Sequence, residues 1–513
     1  MLKKNSQPSR KIELSYLRKH PKTSVLMAGL LAKFCFCKGR TFPIIALCMF
    51  YVLIYVLDEL PHNHKSSTLK RAFYIGFLFG LSFFGSTLYW IAESFKCVGF
   101  GNYGFIAVFV LVVYLSLYTG MTCYLTKQFM RNRITFIIFF SIFWTICEYL
   151  RGWIFTGFPW NLVGYIAYDI PYFAQIADII GAYGVSFLFI LSICLITYKK
   201  TMIYGGCTLL VPILYGVYKI ELYDGYITPD HPDDIVIVQP SIAQKDKMNR
   251  SKSAENLELH SGLSKLDAAG KRLIIWPEAG INGFANDQVE ISNAIKQDNV
   301  FILTGTDRME TDLRLFNSLK VIGKGVILPQ TYDKRHLLPF GEFIPEFLLD
   351  LGLRKVIPGV INYLPGTQGR TIKLDGFNQF DVVICYEAVF PGEVVDDPDS
   401  QWILNITNDA WFGNSDGPSQ HLKSVCFRAI EEGKAIARGA NNGISCVIDC
   451  HGKVRAKLDT NIVGRLETRM PMKYHQTFFS TCKNSTILVI LLLTFLLTLK
   501  RKRRWRSEHR ENG

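Results

Sequence analysis

Long apolar runs, separated by short polar connections, fill the first 220 residues of the chain. They lie at about 24–38, 42–58, 72–94, 104–126, 134–150, 176–198 and 202–218. Each run is near the length that a bilayer requires, and another lies close to the C-terminus at about 485–499. The pattern predicts a membrane domain of about seven helices over 1–220, and a further membrane helix with a basic tail over 481–513.

Between these two parts the pattern changes to short β-rich runs that alternate with helical or loop segments. The predicted strands are 234–238, 273–276, 300–305, 319–328, 382–385, 403–407 and 444–449, and the predicted helices are 285–297 and 418–438. Continuous apolar strands such as 382–384 are buried on both faces, which is typical of a layered α/β fold. The sequence therefore predicts a second domain over 221–480.

Composition agrees with a membrane protein that carries a sizeable soluble part. Hydrophobic residues make up 49% of the 513 residues and charged residues only 19%, which is too apolar for an ordinary soluble enzyme. The net charge of +14 comes with clusters of Lys and Arg at the two ends, beside apolar runs. Such flanks are typical of cytoplasmic anchors, so no nucleic-acid partner is predicted.

The distribution of basic residues also predicts the orientation. Lys and Arg concentrate in alternate connections, namely 59–71, 127–133 and 199–200. The intervening connections 95–103 and 151–175 carry only one each. By the positive-inside rule both termini face the cytoplasm and 219–484 lies outside. In a bacterium this is a multi-pass inner-membrane protein with its soluble domain in the periplasm.

Three side chains that bear chemistry each follow a strand-like run. Cys385 ends the run 381–384, Glu278 follows 273–277, and Lys334 follows 325–333. A thiolate is a nucleophile, a buried carboxylate can accept its proton, and an ammonium group can stabilise an oxyanion. Taken singly, a structural cysteine, a helix-capping glutamate and a surface lysine are the alternative interpretations.

Cofactor motifs do not add to this chemistry. The thirteen cysteines include no CxxC pair, so neither a zinc site nor a disulfide framework is predicted. No P-loop and no HExxH sequence is present, and we predict no metal or nucleotide cofactor. His421 could form a Cys–His pair with Cys385, but a single histidine is weak support for one.

Further motifs extend the pattern beyond these three residues. They are YxKxxLxPFGE around Lys334, CYE at Cys385, NxTNDxWFG from Asn405, and QHL…RAIE…RxxNNG from Gln420. Together with the membrane runs, they resemble the apolipoprotein N-acyltransferase family within the carbon–nitrogen hydrolase (nitrilase) superfamily. The resemblance covers essentially the whole chain and implies a nitrilase-like four-layer αββα sandwich.

The resemblance also implies roles for individual residues. Cys385 matches the nucleophile, Glu278 the general base and Lys334 the oxyanion stabiliser. Glu342 matches an additional essential glutamate, and Tyr386 and Glu387 match the two residues after the family's cysteine. The chain departs from the family at Met248, where a tryptophan is frequent, and this bears on substrate gating.

The implied reaction carries an acyl chain from a membrane phospholipid, through a Cys385 thioester, to the α-amine of the diacylglyceryl-cysteine that begins a lipoprotein. A monomer is expected, because flanking membrane helices hinder the oligomerisation seen in soluble relatives. Two alternatives remain open at this point: a membrane-tethered nitrilase-like amidohydrolase, in which water replaces the amine, and a non-enzymatic scaffold.

One apolar segment, 343–353, follows Glu342 directly. We predict that it dips towards the bilayer and admits acyl chains, although ordinary core packing explains its composition equally well.

Overall fold

The structure is a computed structural model. It describes residues 15–39, 42–97, 99–101, 103–222, 226–227, 233–265, 270–281, 299–344, 362–471, 473–474 and 476–510.

The N-terminal part consists of helices that pack against one another. They are α1 (Pro21–Leu30), α2 (Ala32–Phe36), α3 (Pro43–Asp58), α4 (Ser66–Leu88), α5 (Ile91–Cys97), α6 (Tyr103–Phe129), α7 (Arg133–Arg151), α8 (Pro171–Ala174), α9 (Ala177–Thr197) and α10 (Met202–Val217). Among the described residues, five helices are long and apolar enough to cross a membrane: α4, α6, α7, α9 and α10 with its continuation to Leu222. The predicted span at 24–38 is two short helical segments that meet at Leu31.

Local sequence features explain how these helices begin and how closely they pack. Asn132 caps α7 in a capping box with Thr135, which satisfies backbone N–H groups at the start of the helix. Gly80 of α4 faces α6, where a Cβ atom would lie 2.1 Å from Thr119 Oγ1. Small residues at such contacts let two membrane helices approach closely. α9 is broken at Gly181, whose φ of 66° favours glycine.

The remaining residues form strands with fewer helices. The strands are β1 (Tyr226–Ile227), β2 (Asp234–Gln239), β3 (Arg272–Ile275), β4 (Val300–Met309), β5 (Leu315–Gly323), β6 (Val326–Asp333), β7 (Thr371–Ile372), β8 (Phe380–Ile384), β9 (Trp402–Thr407), β10 (Ala435–Ala440), β11 (Ser445–Ile448), β12 (Val454–Leu458), β13 (Gly464–Arg469) and β14 (Lys473–Tyr474). The helices are α11 (Gln244–Lys247), α12 (Ser253–Leu263), α13 (Gly417–Glu432), α14 (Phe478–Cys482) and α15 (Ser485–Arg510).

Within the described residues, most strands belong to two six-stranded mixed sheets. Their orders are β13-β2-β3-β4-β5-β6 and β12-β11-β10-β9-β8-β7, while β1 pairs with β14. Side chains of most strands in the two sheets fill the space between the sheets. In β8, for example, Val382 and Ile384 face the other sheet and Val383 faces α13. α12 covers the outer face of the first sheet through Leu257 and Leu263. The predicted four-layer αββα sandwich is confirmed.

Two predicted elements were wrong in their extent. The single strand predicted at 319–328 is a hairpin of β5 and β6, which turns at Lys324 and Gly325, both with positive φ. The helix predicted at 418–438 ends at Glu432, because Gly433 adopts the left-handed conformation that terminates helices. The predicted helix 285–297 and most of the 343–353 segment lie outside the described residues.

Helix α13 also packs against the membrane helices, so it contacts both parts of the molecule. Asp416, the residue that precedes α13, accepts hydrogen bonds from the Lys38 backbone N–H and the Tyr89 hydroxyl. Near its other end, the Glu431 carboxylate accepts the Ala182 backbone N–H at the break in α9. The sandwich is therefore attached to the bundle at both ends of one helix.

Candidate active site

Several strands of the two sheets end close together, and a polar side chain follows each of them. Glu278 comes after β3, Lys334 after β6, Cys385 after β8 and Asn408 after β9. Parallel neighbours such as β8 and β9 necessarily present their carboxyl ends at the same edge. The fold thus collects residues that lie up to 130 positions apart along the chain.

A buried ammonium group lies between two buried carboxylates at this edge. Lys334 Nζ is 2.9 Å from Glu342 Oε1 and 3.5 Å from Glu278 Oε1. Burial acts to lower the pKa of Lys334, but the charges of Glu342 and Glu278 outweigh it and raise this pKa above its ordinary value. Lys334 therefore remains a cation, suited to stabilising negative charge rather than to accepting a proton.

Asn317 completes this cluster and was missed in the sequence. Its Nδ2 donates 2.8 Å hydrogen bonds to both Glu278 Oε1 and Glu342 Oε1, and its backbone carbonyl accepts from Lys334 N–H. Asn317 lies on the same face of β5 as Leu319 and Val321, whose side chains lie in the core between the sheets. An amide on an otherwise apolar strand face was the signal that could have found it.

The second oxygen of Glu278 is held from the other sheet. Asn408 N–H donates to Glu278 Oε2 at 2.9 Å, and Lys247 Nζ donates to the Glu278 backbone carbonyl at 2.7 Å. Burial lowers the pKa of Lys247 to about 8. The carboxylate of Glu278 is thus held by the Asn317 amide, the Lys334 ammonium and the Asn408 N–H.

Cys385 lies at a sharp turn between β8 and a short 3₁₀ segment, Cys385–Val389. Its φ of 51° is unusual for a residue with a side chain, and such strain is concentrated at functional sites. Burial raises the pKa of the Cys385 thiol, the Glu278 carboxylate raises it further, and Lys334 opposes both. The thiol is therefore protonated near neutral pH and needs a base to become a nucleophile.

The two residues after Cys385 hydrogen-bond to groups outside this cluster. Glu387 accepts hydrogen bonds from the backbone N–H groups of Ile384 and Arg335 and from the Tyr332 hydroxyl, and Arg370 Nη1 lies 3.3 Å from it. Tyr386 donates to the backbone carbonyl of Gly157, in the loop after α7. Glu387 therefore ties the ends of β6 and β8 together, whereas Tyr386 ties the turn to the membrane bundle.

His421 contacts the backbone of Cys385. Its Nε2 donates to the Cys385 carbonyl oxygen at 3.2 Å, while its Nδ1 faces Asp409 at 3.0 Å. Burial and the nearby Arg438 lower the pKa of His421 below its ordinary value. This geometry suits support of the turn at Cys385.

Among the described residues, no group of three or more His, Cys, Asp or Glu side chains could hold a metal ion. The polar groups of the cluster instead bond to one another and leave an acid–base pair beside a thiol. The αββα layers, together with a glutamate, a lysine and a cysteine at strand ends, form the arrangement expected of the carbon–nitrogen hydrolase superfamily.

Comparisons with known proteins narrow this class. Residues 236–474 match the carbon–nitrogen hydrolase family, and residues 28–195 match the apolipoprotein N-acyltransferase N-terminal domain. An apolipoprotein N-acyltransferase of Rickettsia bellii is 32% identical, over 93% of this chain and 97% of that protein. One from Brucella melitensis is 30% identical, over 87% of this chain and 89% of that protein. The chain belongs to the apolipoprotein N-acyltransferase family, and it is a multi-pass membrane acyltransferase.

Similar solved structures include two that each match about half of this chain. An amidase from Nesterenkonia sp. matches 48% of this chain and 94% of its own, at 17% identity and a TM-score of 0.35. A glutamine-dependent NAD+ synthetase from Acinetobacter baumannii matches 48% of each chain, at 15% identity and a TM-score of 0.33.

Proposed function

We propose that this enzyme transfers an acyl chain from a membrane phospholipid to the α-amine of the N-terminal diacylglyceryl-cysteine of a lipoprotein, through a thioester on Cys385. The observation that carries the proposal is the buried Glu278–Lys334–Glu342 cluster beside a strained Cys385, on a turn that is hydrogen-bonded to the membrane bundle. Membership of the apolipoprotein N-acyltransferase family supports the choice of substrates.

In the first half-reaction, Glu278 accepts the proton of the Cys385 thiol, and the thiolate attacks the ester carbonyl of the phospholipid. The oxyanion that forms is stabilised by the ammonium of Lys334. When the C–O bond breaks, Glu278 returns the proton to the leaving alcohol, so a lysophospholipid departs and a thioester remains.

In the second half-reaction, the lipoprotein amine attacks the thioester carbonyl. Glu278 takes the proton that the amine loses, the C–S bond breaks, and the proton returns to the sulfur of Cys385. An amide is formed and the free thiol is restored. A covalent intermediate suits two bulky lipid substrates that enter one after the other.

Glu342 supports this chemistry through Lys334. Both carboxylates act on the ammonium group, and the charge of Glu278 also raises the pKa of the Cys385 thiol. We therefore assign proton transfer to Glu278, and to Glu342 the task of keeping Lys334 charged and in place. Tyr386 and Glu387 position the turn that carries Cys385.

The charge distribution supports the proposed placement in the cell. The basic connections and both termini face the cytoplasm of a bacterium, and the sandwich faces the periplasm at the inner membrane. The proposed divisions are 1–220 for the membrane domain, 221–480 for the periplasmic domain, and 481–513 for the final helix and tail. The enzyme acts as a monomer.

Intact-mass analysis of the purified protein tests the proposal. Wild type and Cys385→Ser are incubated with phospholipid in detergent, followed by a diacylated lipopeptide with a free α-amine. We expect an acyl-sized mass increase in wild type alone, lost on addition of lipopeptide or neutral hydroxylamine. A thioester that water discharges and that ignores the lipopeptide would instead identify a membrane-tethered amidohydrolase, and the absence of any adduct would overturn the assignment of Cys385.

A further inference from the structure

The side chain of Gln420, in the first turns of α13, is buried among residues of the membrane bundle. Its Oε1 accepts hydrogen bonds from the indole N–H groups of Trp90 (3.1 Å) and Trp160 (2.9 Å). Its Nε2 donates to the backbone carbonyls of Phe36 and Thr87, each at 3.1 Å. One amide therefore joins α2, α4, the residue Trp90 that precedes α5, and the loop after α7.

The amide fills its hydrogen-bonding capacity completely. A glutamine side chain offers two N–H donors and two acceptor lone pairs, and all four are used. Because the oxygen faces two donors and the nitrogen faces two carbonyls, the amide has one favourable orientation. A buried network of this kind fixes a unique arrangement, since breaking any part of it leaves a buried polar group unsatisfied.

The next residue along α13 reaches the nucleophile. His421 donates to the backbone carbonyl of Cys385, and its ring lies against Trp160 with 5.4 Å between ring centroids. Trp160 thus contacts both members of the pair, through its N–H to Gln420 and through its ring to His421. The loop that carries Trp160 also supplies the Gly157 carbonyl that accepts from Tyr386.

The turn at Cys385 is therefore held from two sides by groups attached to the membrane bundle. Gln420 binds the bundle and His421 binds the turn, and the two are consecutive residues of the chain. Movement of the membrane segments around Gln420 must displace His421, because both lie in the same well-packed helix.

We propose that Gln420 is a positioning residue that sets the location of Cys385 relative to the bilayer, acting through His421. The inference rests on the proposed function, since such placement matters only when the acyl donor is a membrane lipid. A short soluble ester reaches the thiol from water, so its reaction does not depend on the position of Cys385 relative to the bilayer. The ester of a bilayer phospholipid lies at a fixed depth, so its reaction does. Small displacements of a reacting atom are costly to rate.

Gln420→Glu is the informative variant, because it keeps the shape and places an acceptor oxygen against the carbonyls of Phe36 and Thr87. Gln175→Glu is a matched control. Gln175 is another buried glutamine between the two domains, and its Nε2 also donates to two carbonyls, those of Pro171 and His451. Gln175 hydrogen-bonds to Pro171 and His451 rather than to the turn at Cys385.

Trp160→Phe is a milder second variant. It removes one donor to Gln420 while keeping an aromatic ring beside His421, and it guards against a failure of Gln420→Glu to fold. All three variants and wild type are compared by the rate of acyl-enzyme formation, measured by intact mass. One series uses phospholipid vesicles with reconstituted enzyme, and the other uses soluble p-nitrophenyl butyrate.

We expect Gln420→Glu to slow acylation by vesicle phospholipid by about tenfold or more, and Trp160→Phe by a few-fold. Acylation by p-nitrophenyl butyrate should stay within about twofold of wild type for both, and Gln175→Glu should leave both rates near wild type.

Three results would overturn the inference. If Gln420→Glu slows acylation equally with phospholipid and with p-nitrophenyl butyrate, Gln420 maintains the site itself and not its placement. If Gln175→Glu slows acylation by phospholipid as much as Gln420→Glu does, any weakening of the contact between the domains is enough to slow the reaction. Unchanged phospholipid acylation in Gln420→Glu and Trp160→Phe would exclude a positioning role. A wild type that accepts the soluble ester but never phospholipid contradicts the proposed function itself, and the role of Gln420 in lipid placement falls with it.

Discussion

At the scale of single residues, the site is governed by opposing charges around one thiol. Burial and Glu278 raise the pKa of Cys385, while Lys334 lowers it. The same carboxylate that makes the thiol harder to ionise is the proposed acceptor of its proton. Glu278 is thus expected to slow alkylation of the Cys385 thiol and to speed acyl transfer.

Glu278→Gln tests this opposition. Removing the carboxylate lowers the pKa of Cys385, so a larger fraction is thiolate at pH 9 and iodoacetamide should alkylate Cys385 faster than in wild type. Acyl transfer loses its base and should fall by about 10²–10⁴-fold. Peptide mass spectrometry measures the first and lipopeptide acylation the second. A parallel fall in both rates would show that Glu278 has mainly a structural role.

Lys334→Met addresses the oxyanion. The variant keeps a side chain of similar length but leaves Glu278 and Glu342 without their cation, and the pKa of Cys385 should rise further. Loss of one oxyanion donor typically costs about 10²–10³-fold in turnover. Single-turnover formation of the thioester is the appropriate measurement, with Lys320→Met on the same sheet as control. A thioester that forms at the wild-type rate would remove Lys334 from the proposed mechanism.

At the scale of elements, strand ends and helix breaks are fixed by single buried residues. Glu387 joins the end of β6 to the end of β8, and Gly181 allows the break in α9 against which Phe479 packs. Each of these residues shapes the site or the bundle without belonging to the reacting groups.

Glu387→Gln should destabilise the sandwich. Burial raises the pKa of Glu387, but Arg370 and the Ile384 N–H more than offset this and lower it below its ordinary value. The stability that this group contributes is therefore present above its unfolded pKa, about 4.5, and lost as the pH falls through the folded value. Breaking a buried pair costs about 3–5 kcal/mol.

We accordingly expect a lower melting temperature at pH 7 for Glu387→Gln, with a difference from wild type that shrinks on acidification. Glu393→Gln, a half-exposed change in the same segment, is the control. A difference that is independent of pH would argue against an ionised Glu387.

Gly181→Ala tests the break in α9. A Cβ atom there would lie 2.3 Å from the Phe479 ring, and φ is 66°. Strain and clash together should cost about 1–3 kcal/mol and lower the melting temperature in detergent. Gly206→Ala, in α10, meets no atom within 4 Å and should not lower it. Similar melting temperatures for the two variants would show that the break is not needed.

At the scale of the whole molecule, one helix couples the catalytic sandwich to the membrane bundle. α13 is bound near its ends through Asp416 and Glu431, and between them through Gln420. The sandwich is therefore held in a defined position relative to the bundle, which suits the proposed transfer from an acyl donor that stays in the membrane.

The proposed orientation is checked by labelling added cysteines with a membrane-impermeant maleimide. In cells with a permeabilised outer membrane, Lys457→Cys should react, because its side chain is half-exposed on the sandwich. Lys199→Cys, in a basic connection, should react only after lysis. The parent chain with its native cysteines gives the background. The reverse pattern would invert the topology.

Much of the fold was predictable from local patterns. Apolar runs long enough for a bilayer and alternating strands depend on residues that are close in sequence, so the membrane helices and most strands could be identified from the sequence. The hairpin at Lys324 was missed because its turn interrupts an otherwise continuous apolar run, and the end of α13 was placed too late because a strand with similar composition follows Gly433.

The sequence by itself determined which chemistry is available: a thiol, a carboxylate and an ammonium group, each after a strand, beside a set of membrane helices. Only the tertiary structure decided how these groups act on one another. Asn317 joins the two carboxylates, and the Gln420–His421 pair joins the bundle to the turn at Cys385, through contacts between residues far apart in the chain. Distances and burial set hydrogen bonds and pKa shifts, and both arise only when the sheets and helices pack.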